Sequence, residues 1–547
     1  MHCFSLVRWV YHLRNDGTLD LVSRCLGHTL TEGQSLRQVP WVAERPNPLY
    51  KHIVSAAQTK TSQAKRRAQD TTCGNEFESG EINMVFLTKA LQKAVQNTLA
   101  SDNLLDRLFR RSLLGGVYPE SDEYRNKVKD LLERPQSIYA GFDATSSSLH
   151  IGNLATLMNL IHFQRAGHQV ICVIGDATAQ VGDPSGHYHD RVKLERSTIR
   201  TNVVTIEETL NDLFFNHLDC FAEKNEADVK KIKKPIILKN SQWYEGKDVI
   251  DFVGDIFREV RVGGLLHKKS IAERLNSPVG MNMSEFCYQI FQAYDWLQLR
   301  SRYNCHIQLG GADQGGNIYT GHDLIKKMTG KSNAIGLLAP LITNESGKKL
   351  GKTSDNSSQG IWLHRNKTSP YQLYQYFHRV PDKEVEKLLK VLTLLDEDQI
   401  EDLIYNHLKK PEDTWYCQRK LAEQVCLLVH GKTGLNRAKR ITHAFHNKNP
   451  LDIAQLSDED LEQLFEGDSI IKMMHRDGMT VLDLIKRANC FANTIEAERL
   501  VGAGGLWLNN ARCMSINLPI TQDLIIGNDV TIMRVGKRNY FLFKWTR

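Results

Sequence analysis

The sequence predicts an α/β fold: a doubly wound parallel sheet with a helical insertion, followed by an α-helical domain and a small α+β module. Three observations predict it. SIYAGFD, LATLMNLIHFQRAG and HQVICVIGD, between residues 137 and 176, read as strand, helix and strand with a glycine in the first turn. CHIQLGGADQGGN, after a mostly helical stretch at 235–305, restores a strand and a Gly-rich turn, the second half of a split sheet. Beyond Thr353 the pattern is helical to about His475, and GLWLN, DVTIMRV and NYFLFKW then read as short strands.

Taken in order, residues 1–83 show no sustained periodicity, and Gln58 to Gly80, with Lys60, Lys65, Arg66 and Arg67, is polar and poor in bulky apolar residues, which predicts a disordered extension. Residues 84–136 form an N-terminal arm. Its first part, MVFLTKALQKAVQNTLAS, places Leu87, Leu91, Val95 and Leu99 on one helical face with Lys89 and Lys93 and no acidic residue before Asp102. Two readings stand for it: a targeting helix starting at Met84, or an amphipathic arm packing on the next domain. The sheet domain is expected at 137–353 with its insertion at about 235–305, the helical domain at 354–476 and the α+β module at 477–547.

Composition narrows the class. A chain of 547 residues exceeds a single ordinary core. No apolar run approaches the roughly 18 residues that a spanning helix needs. The net charge of +7 suits a polyanionic partner without identifying one. Eleven cysteines lack any Cys-x-x-Cys pair, so neither a zinc module nor a disulfide framework is indicated, and a reducing compartment fits best.

Two motifs carry chemistry. In YAGFDATSSSLHIGNL, His150, Gly152 and Asn153 stand where a glycine turn enters a helix, and the N–H groups and positive end of that helix favour a phosphate. In KKLGKT, Lys349, Lys352 and Thr353 sit on a loop whose ammonium groups could neutralise charge building toward a pyrophosphate leaving group. Singly, each has a plainer reading: a histidine at a helix start is more often a cap, and lysines beside glycine are usually solvated surface. The pair, about 200 residues apart and straddling a split sheet, is hard to obtain by chance.

These segments resemble the HIGH and KMSKS signatures of class I aminoacyl-tRNA synthetases, here HIGN and KLGKT. GDATAQVGDPSG (175–186), SEFCYQIFQAYD (284–295), QLGGADQGGN (308–317) and LAEQVCLLVHG (421–431) narrow the resemblance to tyrosyl-tRNA synthetase of the bacterial and mitochondrial type, from about residue 100 onward. That resemblance implies a Rossmann-like catalytic domain, an α-helical anticodon-binding domain and an S4-like RNA-binding domain. It implies that Tyr139 and Asp295 meet the phenol of L-tyrosine, that Asp183, Tyr288 and Gln292 hold its α-ammonium, and that Thr178, Gln308 and Gln314 complete the pocket. Asp143, Thr145, His150, Gly152, Asn153, Arg191, Gly311, Asp313, Lys349 and Lys352 would contact ATP, with His150, Asn153, Lys349, Lys352 and Thr353 acting in catalysis.

ATP is then a substrate accompanied by Mg²⁺, with no protein-bound metal or organic cofactor. The other implied partners are tRNA(Tyr) and a second copy of the chain, joined through the insertion, with no membrane. The implied place is the mitochondrial matrix. Four positions depart from the family pattern: Asn153 for a second histidine, Ala144 for proline, Gly315 for tryptophan and His187 for lysine. A protein keeping this scaffold only as an RNA chaperone, or a related nucleotidylyltransferase, are the rival readings. The intact Tyr139, Asp183 and Asp295 oppose the first, and the RNA-binding appendages oppose the second.

Overall fold

The computed structural model describes residues 103–546 apart from 186–188, 222–231, 332, 343–359, 410–414, 447–451, 454, 466–468 and 537–538. The Met84 segment up to Asp102, His187 and the KKLGKT loop with Lys349, Lys352 and Thr353 lie outside the described residues. In chain order the first unit runs α1 (Leu104–Arg110), β1 (Gly116–Tyr118), α2 (Asp122–Leu132), β2 (Ser137–Asp143), α3 (Ile151–Arg165), β3 (Gln169–Gly175), α4 (Arg196–Phe221) and β4 (Ile236–Lys239). It continues through α5 (Val249–Asp255), α6 (Val262–Leu266), α7 (Lys269–Leu275), α8 (Met283–Tyr303), β5 (Cys305–Gly311), α9 (Gly315–Thr329) and β6 (Ile335–Ala339).

Six strands form one sheet in the order β1-β6-β5-β2-β3-β4, parallel except for β1. The chain steps outward one way from β2 through β3 to β4, then returns to build β5 and β6 on the other side of β2. The crevice at the carboxyl ends of β2 and β5 is therefore the switch point where such sheets place ligands. The strands are near-continuous apolar runs because both faces are covered. One face, from Ile138, Ala140, Phe142, Val170, Cys172 and Ile307, packs on α3 and α4; the other, from Tyr139, Ile171, Val173 and Leu238, packs on α8, α9 and the insertion.

Three boundaries differ from those the sequence predicts, two of them in the first sheet. The sheet draws its edge strand from the arm, as β1 pairs antiparallel with β6, and Leu105, Leu108 and Leu113 are buried in the common core. Arg111 is itself buried and donates to the carbonyls of Leu395 (2.6 Å) and Thr393 (2.5 Å). The stretch expected to be a helical insertion from 235 contains β4, a full member of the sheet, so the insertion proper lies between β4 and β5. A three-residue strand and a four-residue one are too short for periodicity to separate from helix or loop.

The helical region comprises α10 (Pro370–His378), α11 (Asp382–Leu392), α12 (Glu397–Lys409), α13 (Tyr416–His446) and α14 (Asp458–Leu464). Its Leu373, Leu389, Val425 and Cys426 share one apolar cluster with the α3 face of the sheet. Helix α13 kinks at Gly431, whose φ of 68° only glycine adopts without cost. Asn216 of α4 donates its amide to the Leu428 and Val429 carbonyls freed there. The terminal module holds β7 (Ile470–Met474), α15 (Val481–Ala488), α16 (Thr494–Gly502), β8 (Leu506–Leu508), β9 (Ala511–Cys513), β10 (Val530–Val535) and β11 (Asn539–Thr546). Its sheet, in the order β7-β11-β10-β8-β9, takes β7 from residues where the sequence predicts the end of the helical domain.

Candidate active site

At the switch point Tyr139 of β2 stands opposite Gln308 of β5 in the ladder. Their neighbours Ile138, Ala140, Ile307 and Leu309 point into the α3 core, so the two-residue period of a strand turns Tyr139 and Gln308 toward α8. Both are almost wholly buried, yet among the described residues neither the Tyr139 hydroxyl nor Gln308 Oε1 has a hydrogen-bond partner. A buried polar atom left unpaired costs about 1–3 kcal/mol, and these two face each other at the switch point, where a ligand could pair with both.

Asp295 projects from α8 toward the same space. Its Oδ1 accepts from Trp243 Nε1 (2.7 Å) and the Tyr244 hydroxyl (2.8 Å), and its Oδ2 from Asn240 Nδ2 (3.2 Å). Burial pushes its carboxyl up to about 7 against the pull of those three donors. Burial and the facing Asp295 charge together hold the Tyr139 phenol well above its ordinary range, so Tyr139 stays a neutral donor.

A second group closes the carboxyl end of the crevice. Asp143, the last residue of β2, accepts from Thr178 Oγ1 (2.7 Å) and the Tyr288 hydroxyl (2.8 Å), while Asn240 Nδ2 donates to Thr178 (3.0 Å). Desolvation raises Asp143 to about 6, with the hydrogen bonds opposing and the Asp183 charge assisting. Gly175 ends β3 directly beneath: a Cβ there would lie 2.0 Å from Asp143 Oδ1 and 2.4 Å from Thr178 Oγ1. Only glycine lets the two strand ends approach this closely.

The third group is built on Asp183. Its Oδ2 accepts from Gln314 Nε2 (2.8 Å) and its Oδ1 from the Ser185 N–H (2.9 Å), and Asn317 bridges Gln314 Oε1 (2.9 Å) to Gln292 Oε1 (3.1 Å). Arg191 Nε donates to the Asp183 carbonyl (3.0 Å). Gly311, at the end of β5, leaves room for Asp313, whose Oδ1 would sit 2.6 Å from a Cβ. Thr145 lies half-buried in the turn after β2.

His150 is the N-cap of α3. Its Nδ1 accepts from the Gly152 N–H (3.0 Å), which leaves a neutral ring's proton on Nε2, and Asn153 Oδ1 accepts from the His150 N–H (3.0 Å) to complete a capping box. Asn153, a departure from the family pattern, thus stabilises the turn that presents His150. Ala144 is buried, and Gly315 opens α9 with nothing among the described residues within 4 Å of its Cβ position.

The structure brings the predicted Tyr139, Asp143, Thr178, Asp183, Tyr288, Gln292, Asp295, Gln308 and Gln314 to one crevice. Sequence reasoning missed Asn240, Trp243, Tyr244 and Asn317. The signal for the first three was present: NSQWY follows the apolar run IILK at a strand's carboxyl end, where ligand-handling residues gather.

These carboxyls set a pH dependence. Asp143 and Asp295 bind protons more tightly when folded than an unfolded aspartate near 3.9 does, so these two groups contribute stability that is lost as pH rises from about 4 to 7, against the opposite contribution of His162, His168, His217 and His430, which burial holds below their ordinary range. Asp295→Asn is expected to remove that contribution, so its melting temperature between pH 4.5 and 7 should change more positively with pH than the parent's, whatever its absolute value. An unchanged slope would show that Asp295 titrates normally.

A family model described as tRNA synthetases class I (W and Y) matches residues 131–447. The chain is 42% identical over 475 residues to the mitochondrial tyrosine–tRNA ligase of Drosophila melanogaster, covering 84% of this chain and 100% of that one. It is 34% identical over 446 residues to the tyrosine–tRNA ligase of Roseiflexus castenholzii, covering 81% and 99%. Among solved structures, a C-terminally truncated mitochondrial tyrosyl-tRNA synthetase from Aspergillus nidulans superimposes with a TM-score of 0.56 at 26% identity, over 65% of this chain and 96% of that one.

Proposed function

The chain belongs to the class I tRNA synthetases for tryptophan and tyrosine, and from that membership we propose that it works as a tyrosine–tRNA ligase whose amino-acid pocket is the crevice around Tyr139. It activates L-tyrosine with ATP and transfers the tyrosyl group to tRNA(Tyr). The observation that carries the choice of amino acid is the buried, unpartnered Tyr139 hydroxyl close to the Asp295 carboxyl, a donor and an acceptor suited to a phenol.

In the first step the tyrosine carboxylate oxygen attacks the α-phosphorus of ATP and pyrophosphate leaves. In the second a terminal ribose hydroxyl of the tRNA attacks the carbonyl carbon of the adenylate and AMP leaves. No protein nucleophile takes part, so catalysis is positioning and charge stabilisation. Asp183, with Gln292 and Gln314 around it, is our candidate for the α-ammonium, and Thr178 and Tyr288 act on the same pocket through Asp143. His150, from the helix start, donates from Nε2 to phosphate oxygens, and Asn153 and Gly152 hold that turn. Arg191 and the lysines Lys349 and Lys352 meet the phosphates, with Asp313 toward the ribose. Mg²⁺ arrives with the nucleotide as part of the substrate.

The exposed Val249, Ile250, Val253, Val262 and Leu266 of the insertion support a homodimer formed there. The helical region and the terminal module, with Lys486, Arg487, Arg499 and Arg512, are assigned to anticodon and S4-type RNA contacts. The mitochondrial names of relatives support a mitochondrial location, and we place the protein in the matrix.

Pyrophosphate exchange into ATP, run with each amino acid in turn and followed by charging of tRNA, tests the assignment: only tyrosine should support it, and exchange with another amino acid or none would sink it. Tyr139→Phe supplies a sharper check. Deleting an unpaired buried hydroxyl should leave the melting temperature unchanged or raise it, while kcat/KM for tyrosine falls about 10-fold, the worth of one hydrogen bond. A loss of stability with no loss of tyrosine activity would make Tyr139 a mere core residue.

A further inference from the structure

A buried ion pair outside the crevice reaches it through Arg191. Arg274, near the end of α7, and Glu285, in the first turn of α8, are each 1% exposed and meet at 2.9 Å. Arg274 Nη2 also reaches Asp190 Oδ1 at 2.6 Å. The second oxygen of Glu285 accepts from the Arg191 N–H at 2.8 Å and from Asn282 Nδ2 at 2.9 Å. From that fixed backbone the Arg191 side chain runs over Gly182, where a Cβ would come within 3.0 Å of its Cβ and Cγ, before its Nε reaches the Asp183 carbonyl. Gly182, with φ of 90°, has the one side-chain-free surface that this crossing needs.

We propose that Arg274 and Glu285 are positioning residues for adenylate formation, holding the backbone at 190–191 so that the Arg191 guanidinium is fixed between Asp183 and the nucleotide phosphates. The inference rests on the reading of Arg191 as a phosphate ligand. Stability alone does not account for the pair, because a buried ion pair roughly breaks even against apolar residues of similar volume. Its contacts, moreover, converge on one short segment: one arm of Arg274 and one oxygen of Glu285 are directed to consecutive residues, 190 and 191. Preorganising a cation in this way raises the rate, since charge stabilisation at a transition state is lost when the donor must first be ordered.

The test uses the full chain carrying Glu285→Gln or Asp190→Asn, each alone and combined with Arg191→Ala. Tyrosine-dependent exchange is measured with ATP varied, and tyrosine affinity is measured by equilibrium dialysis. Glu285→Gln should lower the exchange kcat about 10-fold and Asp190→Asn about 3-fold, with the dissociation constant for tyrosine within about 2-fold of the parent. Asp190 is 48% exposed, so its substitution keeps the test alive should Glu285→Gln fail to fold. In the Arg191→Ala background neither change should cost anything further, because both act through Arg191. Losses that multiply in that background, or tyrosine affinity that falls with the rate, would overturn the proposal. Arg191→Ala that leaves exchange intact would instead defeat the phosphate reading, and with it the reason for a positioning pair.

Discussion

Asp295→Ala is expected to lower kcat/KM for tyrosine by about 30-fold or more, roughly 2 kcal/mol, while phenylalanine changes much less. A carboxylate that accepts the substrate hydroxyl in a dry pocket makes a charge-assisted bond which phenylalanine, lacking that hydroxyl, never makes. An aspartate on an exposed helix face would matter by no more than about 0.5 kcal/mol for either amino acid. Asp295 is not such a residue: it is 6% exposed and holds Trp243, Tyr244 and Asn240. Removing it strips three buried donors of their acceptor, so the melting temperature should fall as well. The decisive readout is therefore the ratio of kcat/KM for tyrosine to that for phenylalanine in pyrophosphate exchange, where any loss of folded enzyme cancels. A ratio equal to the parent's would reduce Asp295 to a support for the fold.

Gly175→Ala is expected to cost about 100-fold or more in adenylate formation, from a single methyl group whose nearest neighbours among the described residues are Asp143 and Thr178. Its Cβ would overlap both Asp143 and Thr178, at 2.0 and 2.4 Å, and the strand end cannot retreat because β3 is hydrogen-bonded to β2 on one side and β4 on the other. The carboxylate must then swing away from Thr178 and Tyr288, and a displacement of about 1 Å at a site suffices for a loss of that size. Overpacking should lower stability by only about 1–3 kcal/mol. Exchange kinetics on protein shown to be folded by circular dichroism separates the two. Activity within about 3-fold of the parent would mean that the contact relaxes cheaply and that Asp143 does not need its place.

Much of the site was legible before the fold was known because it is written locally. HIGN at the start of α3 forms a capping box from residues three apart, SIYAGFD and HQVICVIGD carry the apolar runs of doubly covered strands, and the turn after β5 shows its glycines. What escaped was either short or distant. β1 and β4 have too few residues for a period, and β7 was absorbed into a helical run. Asn240, Trp243 and Tyr244 meet Asp295 across 51 to 55 residues of intervening chain.

The sequence by itself determined the α/β class, the split sheet and the helix-start motif, because each follows from spacing within one element and its flanking turn, while the side chains expected to line the crevice came from the resemblance of four segments to a family. Only the tertiary structure decided that Tyr139 and Gln308 lie side by side with polar atoms unpaired among the described residues, that Asp295 is held by donors from the turn after β4, and that Glu285, paired with Arg274, holds the Arg191 N–H. Strand order and helix docking set which distant residues share a desolvated space. They are chosen by burial of whole faces, a sum over many contacts that no single segment records.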